Sequence, residues 1–395
     1  MGAQSAGVGA AASGTSGATG ASGSSGAATA TRRLPAGALA LRFADAVLAR
    51  WPNPANISQG PLWEYNHGIV MRGIEQVYKR SGDEKYLRYL QRYVDAAVSS
   101  NGSLSLPAEH SFDDLQPAVL LPTLFEATAQ AKYKTAAAAV RARYDNIPRN
   151  MDRGFWHKQK YPNQMWLDSI YMGEPFLARY ARVFDCAAFC FDTIAEQVLL
   201  LAAHTQDAAT GLLFHAWDDS PAGQKAAWAN ASTGRSPAVW GRGLGWYAMS
   251  LVDLLQDLPS DHSGRPRMLE ILTALASGLR RYQDAQTGLW FQVVDQGTRS
   301  DNWLETSGSA MFVYALKVGV DSGYLYASYL AVAQHGFEGL RTQVSERNQM
   351  PSIQNAVQGM GVQNDYAGYV NQTKLSDSPH GLCAILLAAS EMEMQ

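Results

Sequence analysis

Six stretches of this chain repeat one pattern: an aromatic residue, a polar residue, a Gly or Pro, and then a long apolar run with helical spacing. They are "WEYNHGIVMRGIEQVY" from Trp63, "FDDLQPAVLLPTLFEAT" from Phe112, "WLDSIYMGEPFLARYARV" from Trp166, "WGRGLGWYAMSLVDLL" from Trp240, "WLETSGSAMFVYALKVGV" from Trp303 and a degenerate "SDSPHGLCAILLAASEM" from Ser376. Their starts lie about 50 to 75 residues apart, room for two helices and their connections. Between them run charged, one-sided stretches such as "EKYLRYLQRYVDAAVSS" and "RMLEILTALASGLRRYQDA". Helices apolar most of the way round suit an inner ring, and helices with one apolar stripe suit an outer ring. Six such hairpins closing on themselves predict an all-α fold, an (α/α)6 barrel over residues 32–395. Strand signals are confined to short pieces at Gly102, Gly154, Gly211 and Gly288, expected as excursions in the loops at one mouth.

Residues 1–31 are almost wholly Gly, Ala, Ser and Thr and are expected to be a disordered tail. They lack the charged and apolar regions of a secretory signal, and Arg32–Arg33 is followed by an amphipathic pattern rather than the apolar stretch an export signal requires. No run is long and apolar enough to span a bilayer. A net charge of −3 provides no basic field for nucleic acid or a membrane surface, so the expected partner is a small molecule, with no obligatory protein partner evident. Cys186, Cys190 and Cys383 are read as buried thiols, which favours a reducing, cytoplasmic setting. No cluster has zinc-ligand spacing and "GRGLGW" lacks the strand of a dinucleotide fingerprint, so neither a metal nor a cofactor is expected.

With the aromatic as position zero, the second residue onward is Tyr65, Asp114, Asp168, Arg242, Glu305 and Ser378. In a barrel these side chains should ring one mouth, where helix N-termini favour anions. Asp, Glu and Ser there can be explained as N-caps, Asp168 among them. An arginine cannot, so Arg242 is expected to hold a carboxylate through a two-pronged hydrogen bond. Trp63, Tyr65, Trp156, Trp166, Trp240, Trp246 and Trp303 fall near the same end. Flat rings beside carboxylates and a cation suit an anionic sugar. His157 and His215 lie on loops just ahead of inner helices.

The stretches "GFWHKQKYPNQMWLDSIYMGEPF" and "WANASTGRSPAVWGRGLGWYAMSLVD" closely resemble the unsaturated rhamnogalacturonyl hydrolases, glycoside hydrolase family 105, relatives of the unsaturated glucuronyl hydrolases. The resemblance runs from about Trp63 to the end of the chain and implies an (α/α)6 barrel. It also implies removal of a 4,5-unsaturated galacturonic acid from the non-reducing end of pectin lyase products, by hydration of the enol ether double bond. Asp168 matches the residue that protonates carbon 4 and, through a water, directs addition at carbon 5. By the family's spacing Asp113, rather than Asp114, matches the second carboxylate. His157 and His215 match binding histidines, and Trp240, Arg242 and Trp246 a W-x-R-x-x-x-W motif that frames the sugar and grips its carboxylate; Tyr65 is a further expected contact. Gly243 and Leu244 depart from the Ala then Ile or Leu expected there. The alternatives are an unsaturated glucuronyl hydrolase acting on glycosaminoglycan-type products, an inactive sugar-binding barrel, and an inverting enzyme pairing Asp168 with Glu305.

Overall fold

The computed structural model describes residues 34–394, so the expected tail at 1–31 lies outside the described residues. Outer and inner helices alternate along the chain. The outer helices are α1 (Leu39–Arg50), α3 (Glu84–Ala97), α5 (Ala131–Arg143), α7 (Ala187–Thr205), α9 (Arg265–Tyr282) and α11 (Tyr329–Thr342). The inner ones are α2 (Tyr65–Ser81), α4 (Leu120–Thr128), α6 (Leu167–Phe184), α8 (Gly241–Asp257), α10 (Thr306–Asp321) and α13 (Pro379–Met392), with a short α12 (Tyr366–Val370) before the last. α6 packs on α8, α8 on α10, α10 on α13, and α13 returns to α2, which closes the ring. The barrel read from the repeats is the fold observed.

The division follows from patterning. α3 buries Tyr86, Leu87, Tyr89, Leu90, Tyr93 and Val94, a single stripe, and starts where Asp83 accepts the Lys85 amide. α8 buries every residue from Gly241 to Val252, as a helix enclosed on all sides must. The second repeat departs from the expected pattern. Pro117 and Pro122 interrupt it, and the chain winds through two 3-10 turns, Phe112–Asp114 and Gln116–Val119, before α4 begins at Leu120. Those turns reach α6 because Gly173 carries no side chain: a Cβ there would lie 2.3 Å from the Phe112 ring. That close approach sets Asp113 beside the start of α6.

Strands β1 (Gln164–Trp166) and β2 (Ala216–Asp218) pair antiparallel, Trp166 opposite Ala216. The glycine-led excursions at 102, 154 and 211 are isolated bridges, Val98 with Leu104, Arg149 with Phe155 and Gln206 with Leu213. The segment between α11 and α13 carries none of the repeat pattern. It holds β3 (Val344–Arg347) paired with β4 (Met350–Ile353), and β5 (Ala356–Val357) paired with β6 (Lys374–Leu375).

Two expectations change. Cys186 and Cys190 are joined as a disulfide at the start of α7, and only Cys383 is a free, buried thiol, so the cysteines no longer argue for a reducing compartment. Among the described residues, no helix is long and apolar enough to cross a membrane. Glu305 is a buried cap rather than a candidate acid. Its carboxylate accepts the Ser307 and Gly308 amides at 3.0 and 2.5 Å, the Ser307 hydroxyl at 2.6 Å and the Val357 amide at 2.9 Å. Glu305→Ala strands four donors in the interior and should cost about 3 kcal/mol of stability, since charge-assisted bonds contribute about 1.5–3 kcal/mol each before relaxation. Urea unfolding followed by circular dichroism measures that loss.

Candidate active site

The N-termini of α2, α6, α8 and α13 and the 3-10 turn at Asp113 surround a cavity of about 380 Å³. Its floor is set by helical register. Trp166, Trp240, Glu305 and Ser378 occupy the N-cap positions, and Glu64 occupies that of α2. The second helical residues are then Asn66, Asp168, Arg242, Ser307 and His380, and four of these five line the cavity. The aromatic-based register finds Asp168 and Arg242. It slips by two at Glu305 and Ser378, where the N-cap is not aromatic, and so misses His380. His380 is almost fully buried, lies 5.6 Å from the Tyr65 ring, and is held neutral by burial and by the Arg242 charge.

Asp168 is not a cap. It sits inside the first turn of α6, and no side chain caps that end. Its Oδ2 lies 3.0 Å from His215 Nε2, and the Asp168 side chain is 14% exposed, at the cavity wall. β-pairing accounts for this contact: the Leu167 amide donates to the His215 carbonyl at 3.0 Å, which brings the histidine behind the aspartate. His215 is completely buried and does not line the cavity, so its expected direct contact with a ligand gives way to contact through Asp168. Gly243 permits this packing, since a Cβ there would come within 3.0 Å of both His215 and Trp240.

Asp113, not Asp114, lines the cavity, where its Oδ2 accepts from the Lys158 ammonium. Burial raises the Asp113 carboxyl above the usual carboxylate range, with Lys158 opposing it; burial works against the Lys158 charge, but Asp113 more than offsets that. Lys158 was within the quoted motif, yet a lone lysine beside a histidine reads as surface until Asp113 is placed opposite. His157 lines the cavity with Nδ1 2.9 Å from the Ser169 hydroxyl and its ring stacked 4.2 Å from Trp166. Burial, then Lys158, keeps it neutral. Tyr161 extends that stack, 4.9 Å from Trp166.

Tyr65, Trp240 and Trp246 line the cavity as expected. Trp63 and Trp303 do not: their indole N–H groups donate to the Asp114 and Val370 carbonyls, and Trp156 is likewise not at the wall. Arg242 is buried at the wall with its guanidinium 4.8 Å from the Trp240 ring. Its fork is already engaged, donating to the Val357 carbonyl and to the Gln358 carbonyl at 2.6 Å. The two-pronged grip expected for a ligand is thus on the backbone that leads into cavity-lining Gly359–Gly361. No carboxylate among the described residues lies within ion-pair distance of Arg242, although Glu305 and then Asp168 are near enough to favour its charge. Burial depresses its pKa. Among the described residues, no group of three or more His, Cys, Asp or Glu is placed to hold a metal ion.

At the far end of the barrel a second cavity of about 280 Å³ is lined by basic side chains. There the buried cations are matched: Arg179 pairs with Glu75, and Arg72 with Glu75 and Asp253. Among the described residues, Arg242 at the N-terminal mouth has no such ion pair.

Comparison with known proteins places the barrel in a family. The model of Glycosyl Hydrolase Family 88 matches residues 40–395. A solved glycoside hydrolase of family 105 from C. acetobutylicum ATCC 824 superposes with a TM-score of 0.83 at 35% identity, covering 90% of this chain and 99% of that one. The unsaturated rhamnogalacturonyl hydrolase YesR of Bacillus subtilis (strain 168) is 27% identical over 279 residues, 68% of this chain and 73% of its own. Protein Atu3128 of Agrobacterium fabrum is 32% identical over 234 residues, 56% of this chain and 97% of its own. With one family model spanning the barrel and a family 105 enzyme alike over nearly the same length, the chain belongs to the lineage of glycoside hydrolase families 88 and 105 and is a glycosidase.

Proposed function

We propose that this glycosidase removes a 4,5-unsaturated galacturonic acid from the non-reducing end of oligosaccharides left by rhamnogalacturonan lyases, by adding water across the ring's double bond. The observation that carries the proposal is the division of labour at Asp168: Oδ2 is occupied by His215, while Oδ1 has no hydrogen-bond partner among the described residues and Asp168 lines an aromatic-walled cavity beside the unpaired Arg242. In the reaction Asp168 Oδ1–H gives its proton to carbon 4. Positive charge develops at carbon 5 and the ring oxygen, water adds at carbon 5, and its proton goes to Oδ1, so the carboxyl is regenerated. The hemiketal then opens and releases the remaining sugar. One carboxyl acts twice, so the spacing rule for pairs of glycosidase carboxylates is not engaged. In this scheme Asp113, fixed by Lys158, orients ring hydroxyls and the water. His157, Trp166, Trp240, Trp246 and Tyr65 present flat faces and donors to the sugar. An Asp168–Glu305 pair is not proposed, because the Glu305 carboxylate is enclosed by its own helix start.

The test is incubation with unsaturated galacturonyl-rhamnose, unsaturated digalacturonate and an unsaturated chondroitin disaccharide, following loss of absorbance from the conjugated double bond. Turnover of the rhamnose conjugate supports the proposal. Turnover of the chondroitin product alone replaces it with a glucuronyl hydrolase, and loss with none of the three rejects it. The cytoplasmic site of action expected from cysteine usage loses that support with the Cys186–Cys190 disulfide, and cell fractionation decides it.

Glu64 supplies a pH dependence. Burial, reinforced by Asp113, pushes this cavity-lining carboxyl up to about 7. The folded chain therefore binds a proton that the unfolded chain releases between about pH 4.5 and 7, and the Glu64 contribution to stability falls as pH rises through that window. Ionised Glu64 also adds negative charge where an anionic sugar would sit. Affinity for the unsaturated uronate should fall by roughly three- to tenfold between about pH 6 and 8, the reach of one added charge at an intermediate dielectric. Titration calorimetry on Asp168→Asn protein, with and without Glu64→Gln, checks this; the fall should vanish with Gln.

A further inference from the structure

Behind Asp168 the hydrogen bonds continue. His215 Nε2 meets Asp168 Oδ2 at 3.0 Å, and His215 Nδ1 meets the Tyr369 hydroxyl at 2.9 Å. Tyr369 belongs to α12, in the segment the repeats did not reveal, and is completely buried. Gln292 anchors its backbone by donating to the Tyr369 carbonyl at 2.9 Å, and Trp303 anchors the next residue by donating to the Val370 carbonyl at 3.0 Å. The remaining faces of the imidazole are covered by the Trp240 ring at 4.5 Å and the Trp166 ring at 5.7 Å, with Gly243 closing the edge. His215 therefore has two polar neighbours, one on each nitrogen, and no room to turn over.

Proton bookkeeping follows from the chemistry of those neighbours. Among the described residues His215 Nδ1 is the hydrogen-bond partner of the Tyr369 hydroxyl, so no other acceptor draws its proton. Burial keeps the phenol protonated. Its O–H is thus free to donate to Nδ1, and an imidazole that accepts at Nδ1 carries its proton at Nε2. We propose that Tyr369 is a positioning residue that locks His215 as the neutral Nε2–H tautomer. Nε2–H then donates to Asp168 Oδ2, and any proton Asp168 carries resides on Oδ1, the oxygen without a hydrogen-bond partner among the described residues. In the other tautomer Nε2 would accept, Oδ2–H would donate to it, and the proton meant for carbon 4 would sit on the wrong side of the carboxyl. The inference rests on Asp168 being the acid; the hydrogen-bond pattern itself does not.

Tyr369→Phe keeps the ring and its packing and removes only the hydroxyl. The expected kinetic result is a kcat about tenfold to a hundredfold lower, with KM changed less than about twofold because Tyr369 does not touch the cavity. In a His215→Gln background, where the side-chain amide donates to Asp168 whatever Tyr369 does, the same change should have no further effect. A hydroxyl that matters only to the fold would lower both backgrounds equally; that result, or no change in either background, overturns the proposal. Independently of turnover, ¹⁵N chemical shifts of His215 report the tautomer. The wild type should show protonated Nε2 alone, and Tyr369→Phe a mixture. A wild type protonated at Nδ1 overturns the proposal for any substrate. The expected shifts in a protein that turns over none of the unsaturated uronates would reject the functional assignment and leave the tautomer lock intact.

Discussion

Asp168→Asn should reduce turnover of the unsaturated uronate by about 10³-fold or more while leaving the fold unchanged. Asparagine has the same shape, and its carbonyl can still accept the His215 N–H, so the 3.0 Å contact has a substitute. What disappears is the proton for carbon 4. Loss of a positioned general acid costs about 10²- to 10⁴-fold, and at about 1.4 kcal/mol per decade a 10³-fold loss is about 4 kcal/mol of barrier. The stability change should be much smaller. A first-turn carboxylate contributes about 0.3–1 kcal/mol through the helix dipole, so thermal unfolding should move by no more than a few degrees. A purely structural aspartate predicts the reverse, a measurable stability loss with most of the rate retained. Rate and melting temperature measured on one preparation separate the two, and a variant that keeps more than about a tenth of the wild-type rate would remove Asp168 from the acid role.

The reach of the sequence can be traced to individual residues. Asp168 and Arg242 were found because their helices begin on tryptophans, so an aromatic-based register coincides with the helical one. Glu305 and Ser378 are themselves N-caps, and the same counting stops two residues short of Ser307 and His380. A register built on capping residues would have reached His380. Asp113 needed outside help, since two prolines replace the start of the second inner helix with 3-10 turns of different pitch. Tyr369 and Gly359–Gly361 had no local signature. They reach the site through long-range partners, Gln292, Trp303 and Arg242, whose bonds to main chain leave no trace in residue spacing. The disulfide was missed because three cysteines cannot pair completely, which favoured reading all of them as thiols.

Arg242→Ala should weaken binding of the anionic sugar by about 100-fold and also destabilise the protein, and the two effects have separable causes. The first is charge. Arg242 is the buried cation at the wall that no ion pair neutralises, whereas Lys158 is already committed to Asp113. A charge-assisted contact of about 1.5–3 kcal/mol corresponds to roughly ten- to a hundredfold in affinity, and the low-dielectric wall favours the upper end. The second is architecture. The guanidinium holds the Val357 and Gln358 carbonyls, and through them the Gly359–Gly361 wall; stranding two buried acceptors costs about 2–4 kcal/mol. Arg242→Lys divides these causes, because one ammonium retains the charge but cannot span both carbonyls in the geometry of a planar fork. If charge dominates recognition, lysine recovers most of the affinity and little of the stability. If the wall dominates, lysine is as poor a binder as alanine, and the uronate is recognised chiefly by the segment that Arg242 holds in place. Calorimetric titration of Asp168→Asn protein carrying each change, alongside thermal unfolding, reads both quantities. Alanine binding the sugar as tightly as the parent would mean that neither the charge nor the wall it anchors recognises the carboxylate.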